Sequence, residues 1–182
     1  MEKPFGKLLA AAVLFFAGLL LPYVSGMLGW ERMLLLMQIP VLLAGFLLPM
    51  NWAVCCAVAI PVANTVVWGV PTAFGELPLV LCEMIAYAAF ANFYYTMVNW
   101  KVYPSLFMTM LSGRAVLFCA ASIYGAVSGG AVRAVPYLAA AVSAGWPGML
   151  LQAVAVPAVL ALVKRRGGGI KTSPPPGRPL RG

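Results

Sequence analysis

The chain has 182 residues, 63% of them hydrophobic and only 9% charged, with a mean hydropathy of +0.96. Soluble domains average about 45–50% apolar and about 25% charged residues, so a soluble globular protein, a disordered chain and a secreted disulfide scaffold are all excluded. The 12 Lys and Arg outweigh 4 acidic residues, giving a net charge of +8. In so apolar a chain this excess is expected to set membrane orientation rather than to bind nucleic acid.

A spanning helix needs about 20 mostly apolar residues, and the sequence predicts six of them. Residues 8–30 are uncharged and form the first. Their apolar core is longer than the ~7–15 residues of a signal peptide, so they are expected to stay as a span. The uncharged stretch 33–75 is too long for one crossing. Pro49, Met50 and Asn51 break it into spans at 33–48 and 52–69. The fourth span, 79–98, carries Glu83. The fifth, 105–127, carries Arg114. The uncharged stretch 134–163 is interrupted by Gly145-Trp146-Pro147-Gly148. Because Pro suits the first turn of a helix, the sixth span is placed at 146–163. Residues 131–144 are then expected to form a short apolar segment at the outer surface.

The expectation is an all-α polytopic membrane protein, with one six-helix domain over 1–166. Residues 167–182 are expected to be a flexible, basic, Gly/Pro-rich cytoplasmic tail near anionic lipid headgroups. With both termini inside, Lys3, Lys7, Lys101, Lys164, Arg165, Arg166, Lys171, Arg178 and Arg181 all face the cytoplasm. Only Arg32 and Arg133 fall outside, a strong positive-inside bias. Trp52 and Trp100 fall at inner boundaries, and Trp30, Trp68 and Trp146 at outer ones, as an aromatic belt requires. The expected location is the cell membrane.

The chain has no His, which removes Ser/His and Cys/His nucleophilic pairs and HExxH zinc sites. Cys55, Cys56, Cys82 and Cys119 form no CxxC pair and read as small hydrophobes. Metal-dependent lipid transferases normally cluster Asp or His, and neither is available. No enzymatic activity, cofactor or metal is expected.

Charge inside a span costs about 2.5–3.5 kcal/mol on insertion scales and marks function by default. Glu83 and Arg114 are the two such residues. Gln38, Asn64, Tyr87, Asn92, Tyr124 and Gln152 add uncharged polarity. Gln38, Asn64, Glu83, Tyr124 and Gln152, from five spans, are expected in the outer half, above the deeper Arg114. Tyr87 follows Glu83 on the same helix face. This distribution points to an outward-opening pocket for a small polar molecule. The competing reading pairs Glu83 with Arg114 and uses the amides as glue between helices. Asn92 reads as packing. No chain of carboxylates suggests a proton pump, and no repeated halves suggest a self-sufficient alternating-access transporter. Small-xxx-small pairs at Gly6/Ala10 and Gly125/Gly129 permit close helix approach.

Four motifs carry a resemblance. Gln38-Ile39-Pro40-Val41-Leu42-Leu43-Ala44-Gly45-Phe46 resembles a stretch of the substrate-binding S components of energy-coupling factor (ECF) vitamin transporters, where His usually stands in place of Gln38. Glu83-Met84-Ile85-Ala86-Tyr87 resembles their Glu-x-x-x-Tyr, with Ala88 where Gly often follows. Ser112-Gly113-Arg114 resembles the Gly-Arg of their fifth helix. Trp146-Pro147-Gly148-Met149-Leu150-Leu151-Gln152, with Pro157 beyond, resembles their final-helix pattern. Order and spacing match over about residues 30–163.

The resemblance implies an S-component-like bundle of six helices that captures a vitamin or vitamin precursor from outside. Its partners would be a transmembrane coupling subunit and two ATPase subunits. The chain has no GxxxxGK[ST] loop of its own. The small-residue face of the first span, Gly6 and Ala10, would meet the coupling subunit. In the expected site, Arg114 binds a substrate carboxylate or phosphate through a forked pair of hydrogen bonds. Glu83 accepts from a donor on the substrate. Gln38, Asn64 and Gln152 add neutral bonds, while Tyr87, Trp68 and Trp146 form walls, and Tyr124, near the outer end of the fifth span, is also expected among the binding residues. The loop around 70–78 and segment 131–144 are candidate lids. If Glu83 and Arg114 neutralise each other, an uncharged ring-bearing substrate fits better. The alternative function is a six-span scaffold of cell-shape or cell-wall machinery with no small-molecule ligand.

Overall fold

The computed structural model describes residues 4–27, 36–69, 77–129 and 133–166. Every described element is helical: α1 (Pro4–Met27), α2 (Gln38–Leu47), α3 (Met50–Trp68), α4 (Leu77–Asn92), a π turn (Phe93–Met97), α5 (Val102–Val127) and α6 (Ala134–Arg166). Among the described residues, five stretches are long and apolar enough to cross a membrane: Gly6–Val24, Met50–Trp68, Leu77–Met97, Val102–Val127 and Gly145–Val163. In lipid every backbone polar group must be satisfied within its own segment, which is why long apolar sequence becomes helix here. The chain is a helical membrane-spanning protein.

The second expected span differs. Residues 33–35 lie outside the described residues, and α2 has 10 residues, about 15 Å at ~1.5 Å per residue. That is half of a hydrocarbon core about 30 Å thick. All residues from Gln38 to Phe46 are buried, so α2 is a central plug rather than a lipid-facing rod. Leu48 takes an extended conformation (φ −109°, ψ 155°) because the following Pro49 disfavours helix. Pro49 then caps α3, so the break expected at 49–51 is present. At its other end α3 stops on Gly69, which adopts the left-handed conformation (φ 66°) that Gly enters without steric cost.

The segment 131–144 also differs. Residues 131–132 lie outside the described residues, and 134–144 are the first turns of α6, which continues through Pro147 and Pro157. A break at Gly145–Gly148 would strand carbonyls in an apolar medium, whereas one Pro removes only its own N–H bond. The membrane-crossing part of α6 still begins at Gly145, close to the predicted boundary. The tail 167–182, Trp30, Arg32 and loop residues 70–76 lie outside the described residues. Leu77 and Pro78 open α4 rather than belonging to a loop.

α4 sits at the centre, packed against α2, α3 and α5, while α6 packs on α5 and α2, and α1 covers α2 and α3. The main core runs through Val41, Leu42, Ala57, Ile60, Met84, Ala88, Val156 and Leu160. A smaller cluster of Leu79, Leu117 and Ala121 joins α4 to α5 and the first turns of α6. Two close approaches set these contacts. A Cβ at Gly45 would fall 2.7 Å from the Ala91 Cβ and 2.8 Å from the Ala88 carbonyl, so only Gly lets α2 lie this near α4. Asn92 fastens the same contact, its Nδ2 donating to the carbonyls of Gly45 (3.2 Å) and Leu48 (2.9 Å). This is the packing role expected for Asn92.

Candidate functional site: a buried polar network on Glu83

Glu83 and Tyr87 lie one turn apart on the buried face of α4. The Tyr87 hydroxyl donates to Glu83 Oε1 at 2.8 Å. From α5, Arg114 Nη1 reaches the same oxygen at 2.8 Å. From the first turn of α2, Gln38 Nε2 approaches it at 3.5 Å, a long hydrogen bond. From α6, Gln152 Nε2 donates to Gln38 Oε1 at 2.9 Å. Five side chains on four helices therefore form one connected network with Glu83 Oε1 as its hub.

The network is buried. The side chains of Arg114 and Glu83 are 11% and 7% exposed, and Gln38, Tyr87 and Gln152 are buried too. A buried charge left alone costs far more than a pair, so each ion holds the other in place. The pairing is incomplete on one side. Arg114 Nε and Nη2 are fully buried and meet no hydrogen-bond partner among the described residues. An unmade bond to a buried donor costs about 1–3 kcal/mol, more when it is charged.

Local sequence explains the geometry. Arg114 falls midway along α5, beside Gly113. A Cβ at Gly113 would overlap the Tyr87 ring, 2.6 Å from its Cδ1. The bare glycine lets the ring lie flat on α5, which brings the Tyr87 hydroxyl and the Arg114 guanidinium to the same carboxylate oxygen. The steric part of Gly113 is not legible from residue type alone. Its sequence signals are its place beside an in-span cation and the Gly-Arg motif, neither of which gives the ring contact.

Of the nine expected substrate-binding residues, the structure brings together Gln38, Glu83, Tyr87, Arg114 and Gln152, and places the other four elsewhere. Asn64 is buried between α3 and α1, its Nδ2 donating to the carbonyls of Gly18 (3.0 Å) and Ile60 (2.9 Å). It also touches Met37 sulfur at 3.6 Å, next to Gln38 but outside the network. Trp68 donates from its indole to the Leu19 carbonyl at 3.2 Å and stacks on Tyr23 with ring centroids 4.2 Å apart. It fastens the ends of α1 and α3. Tyr124 packs on the smaller cluster. Trp146 is 58% exposed. Gly6 is exposed with open space at its Cα, whereas Ala10 packs on the core.

A separate groove of about 560 Å³ opens between the first turn of α5 and the second half of α6. Val102, Tyr103, Val154 and Pro157 line it, and it is apolar. It does not include any network residue.

A helical membrane protein with one buried, charged network shared by four helices is the class this architecture defines. No family model, curated protein or solved structure matches the chain.

Proposed function

We propose that the chain is the substrate-capture subunit of an ATP-driven importer of the ECF type, taking a small vitamin or vitamin precursor from outside the cell. The observation that carries this reading is the convergence of Gln38, Glu83, Tyr87, Arg114 and Gln152 on one buried point. Burying five polar groups in lipid-surrounded protein is expensive, and their linkage into one network around a carboxylate, unlike the separate helix-to-helix bonds of Asn92 and Asn64, supports a binding role. In this reading a cargo exchanges some of these mutual bonds for its own. The sixth crossing expected at 33–48 belongs to this reading, with α2 as the helical part of it among the described residues. Both termini lie in the cytoplasm, and the exposed Gly6 end of α1 meets the coupling subunit, which in turn carries two ATPase subunits.

One observation favours the scaffold reading: Glu83 and Arg114 pair directly and neutralise each other. Ligand binding separates the two. The full chain, purified in detergent, is screened against B vitamins and their precursors by thermal shift. The capture reading expects a compound that raises Tm and whose binding weakens in Arg114→Ala and Glu83→Ala. Absence of any binder favours the scaffold. Unchanged affinity in both variants removes these residues from the site.

A further inference from the structure

Arg114 spends one nitrogen, Nη1, on Glu83. Its Nε and Nη2 remain buried and unpartnered among the described residues. These two nitrogens lie side by side on one edge of the planar guanidinium, and their N–H bonds run nearly parallel. That edge is the donor pair that matches two oxygens of one carboxylate. The ion pair with Glu83 therefore neutralises Arg114 without using its fork.

We infer that the cargo carries a carboxylate, which docks in a bidentate manner on the Nε/Nη2 edge of Arg114. This inference rests on the capture reading and names its substrate class. Charge favours carboxylate over phosphate. Glu83 already sits 2.8 Å from the same guanidinium, and no described residue adds a second cation to the network. A phosphomonoester brings about −1.5 to −2 charges at neutral pH, whereas a carboxylate brings one. Two carboxylates sharing one guanidinium is the smaller excess. A donor group on the cargo offsets it by bonding to Glu83, and the amides of Gln38 and Gln152 lie beside that position. An uncharged cargo, the class expected when Glu83 and Arg114 neutralise each other, offers this edge only neutral acceptors, which are weaker partners for charged donors than a carboxylate.

The test uses the full chain in detergent and matched probe pairs read by thermal shift and calorimetry. Pantothenate with pantothenol, nicotinate with nicotinamide, and biotin with biotinamide differ in the carboxylate alone. Benzoate with benzamide isolates the Arg114 edge from the rest of any cargo, and a phosphomonoester, pyridoxal phosphate, supplies the other anion. The expected result is a carboxylate that binds at least about tenfold tighter than its neutral match. Arg114→Lys, which keeps the charge but loses the edge, is expected to abolish that preference. Glu83→Gln leaves the edge in place and lifts the like charge, so the preference is expected to persist or rise. A neutral probe that binds as tightly as its acid overturns the carboxylate while capture stands. Preference for the phosphomonoester overturns it likewise. Benzoate protection with no vitamin bound keeps the edge and overturns capture. Binding by no probe overturns both, whereas a carboxylate preference lost in Glu83→Gln overturns the edge alone.

Discussion

The Tyr87 ring lies against the bare Cα of Gly113, so closely that a single methyl there would overlap it. The hydroxyl of this ring is one of the two short bonds to Glu83 Oε1. A backbone choice on α5 thus sets the position of a polar group on α4. Gly113→Ala is expected to push the ring away, lowering stability by about 1–3 kcal/mol as overpacking does. It should also weaken cargo binding. Thermal unfolding and a titration on the same variant check both effects. A wild-type Tm in Gly113→Ala would mean that the contact is looser than described.

Glu83 and Arg114 are expected to be strongly coupled. Removing one partner of a buried pair typically costs about 3–5 kcal/mol, while replacing both is often much less harmful. The double variant Glu83→Gln/Arg114→Met should destabilise the chain by less than the sum of the two single variants. A double-mutant cycle by denaturant unfolding measures the term. Strict additivity would contradict a direct ion pair.

Asn92 separates packing from binding. Its Nδ2 clamps two carbonyls at the C-terminal end of α2. Polar bonds between membrane helices average about 0.6 kcal/mol, with a maximum near 1.7. Asn92→Leu is expected to cost that order of stability and to leave cargo affinity within about twofold. A large affinity loss without a change in Tm would place Asn92 in the site.

Much of this architecture was legible in the sequence because lipid imposes it. The ends of α1, α3, α5 and of α4 with its π turn lie within a few residues of the predicted spans, since apolar length and helix are one requirement in a bilayer. The run Gly145–Gly148 was misleading because Gly and Pro punctuate soluble chains far more sharply than membrane helices. Residue type flagged the in-span polar groups but not which would meet. Gln38 and Asn64 both carry amides. The shorter Asn64 side chain bonds its own helix at Ile60 and the crossing α1 at Gly18, while the longer Gln38 spans from Glu83 to Gln152. Trp68 was predicted at a boundary and as a pocket wall, and its indole instead binds α1.

Orientation gives a prediction independent of the site. In a background with all four cysteines replaced by alanine, a cysteine at Arg133 is expected to react with an impermeant maleimide added outside intact cells. A cysteine at Arg165 should react only after the membrane is opened. The reverse pattern would invert the topology and turn the network away from the exterior.

The most direct test of the account is calorimetric titration of the purified chain with the compound that a vitamin screen selects, repeated on Gln152→Leu and Gln38→Leu. These two amides close the network without carrying charge. If the network is the cargo site, both variants remain folded and bind at least about tenfold more weakly. Wild-type affinity in both folded variants, or a wild-type chain that binds nothing in the screen, would contradict it.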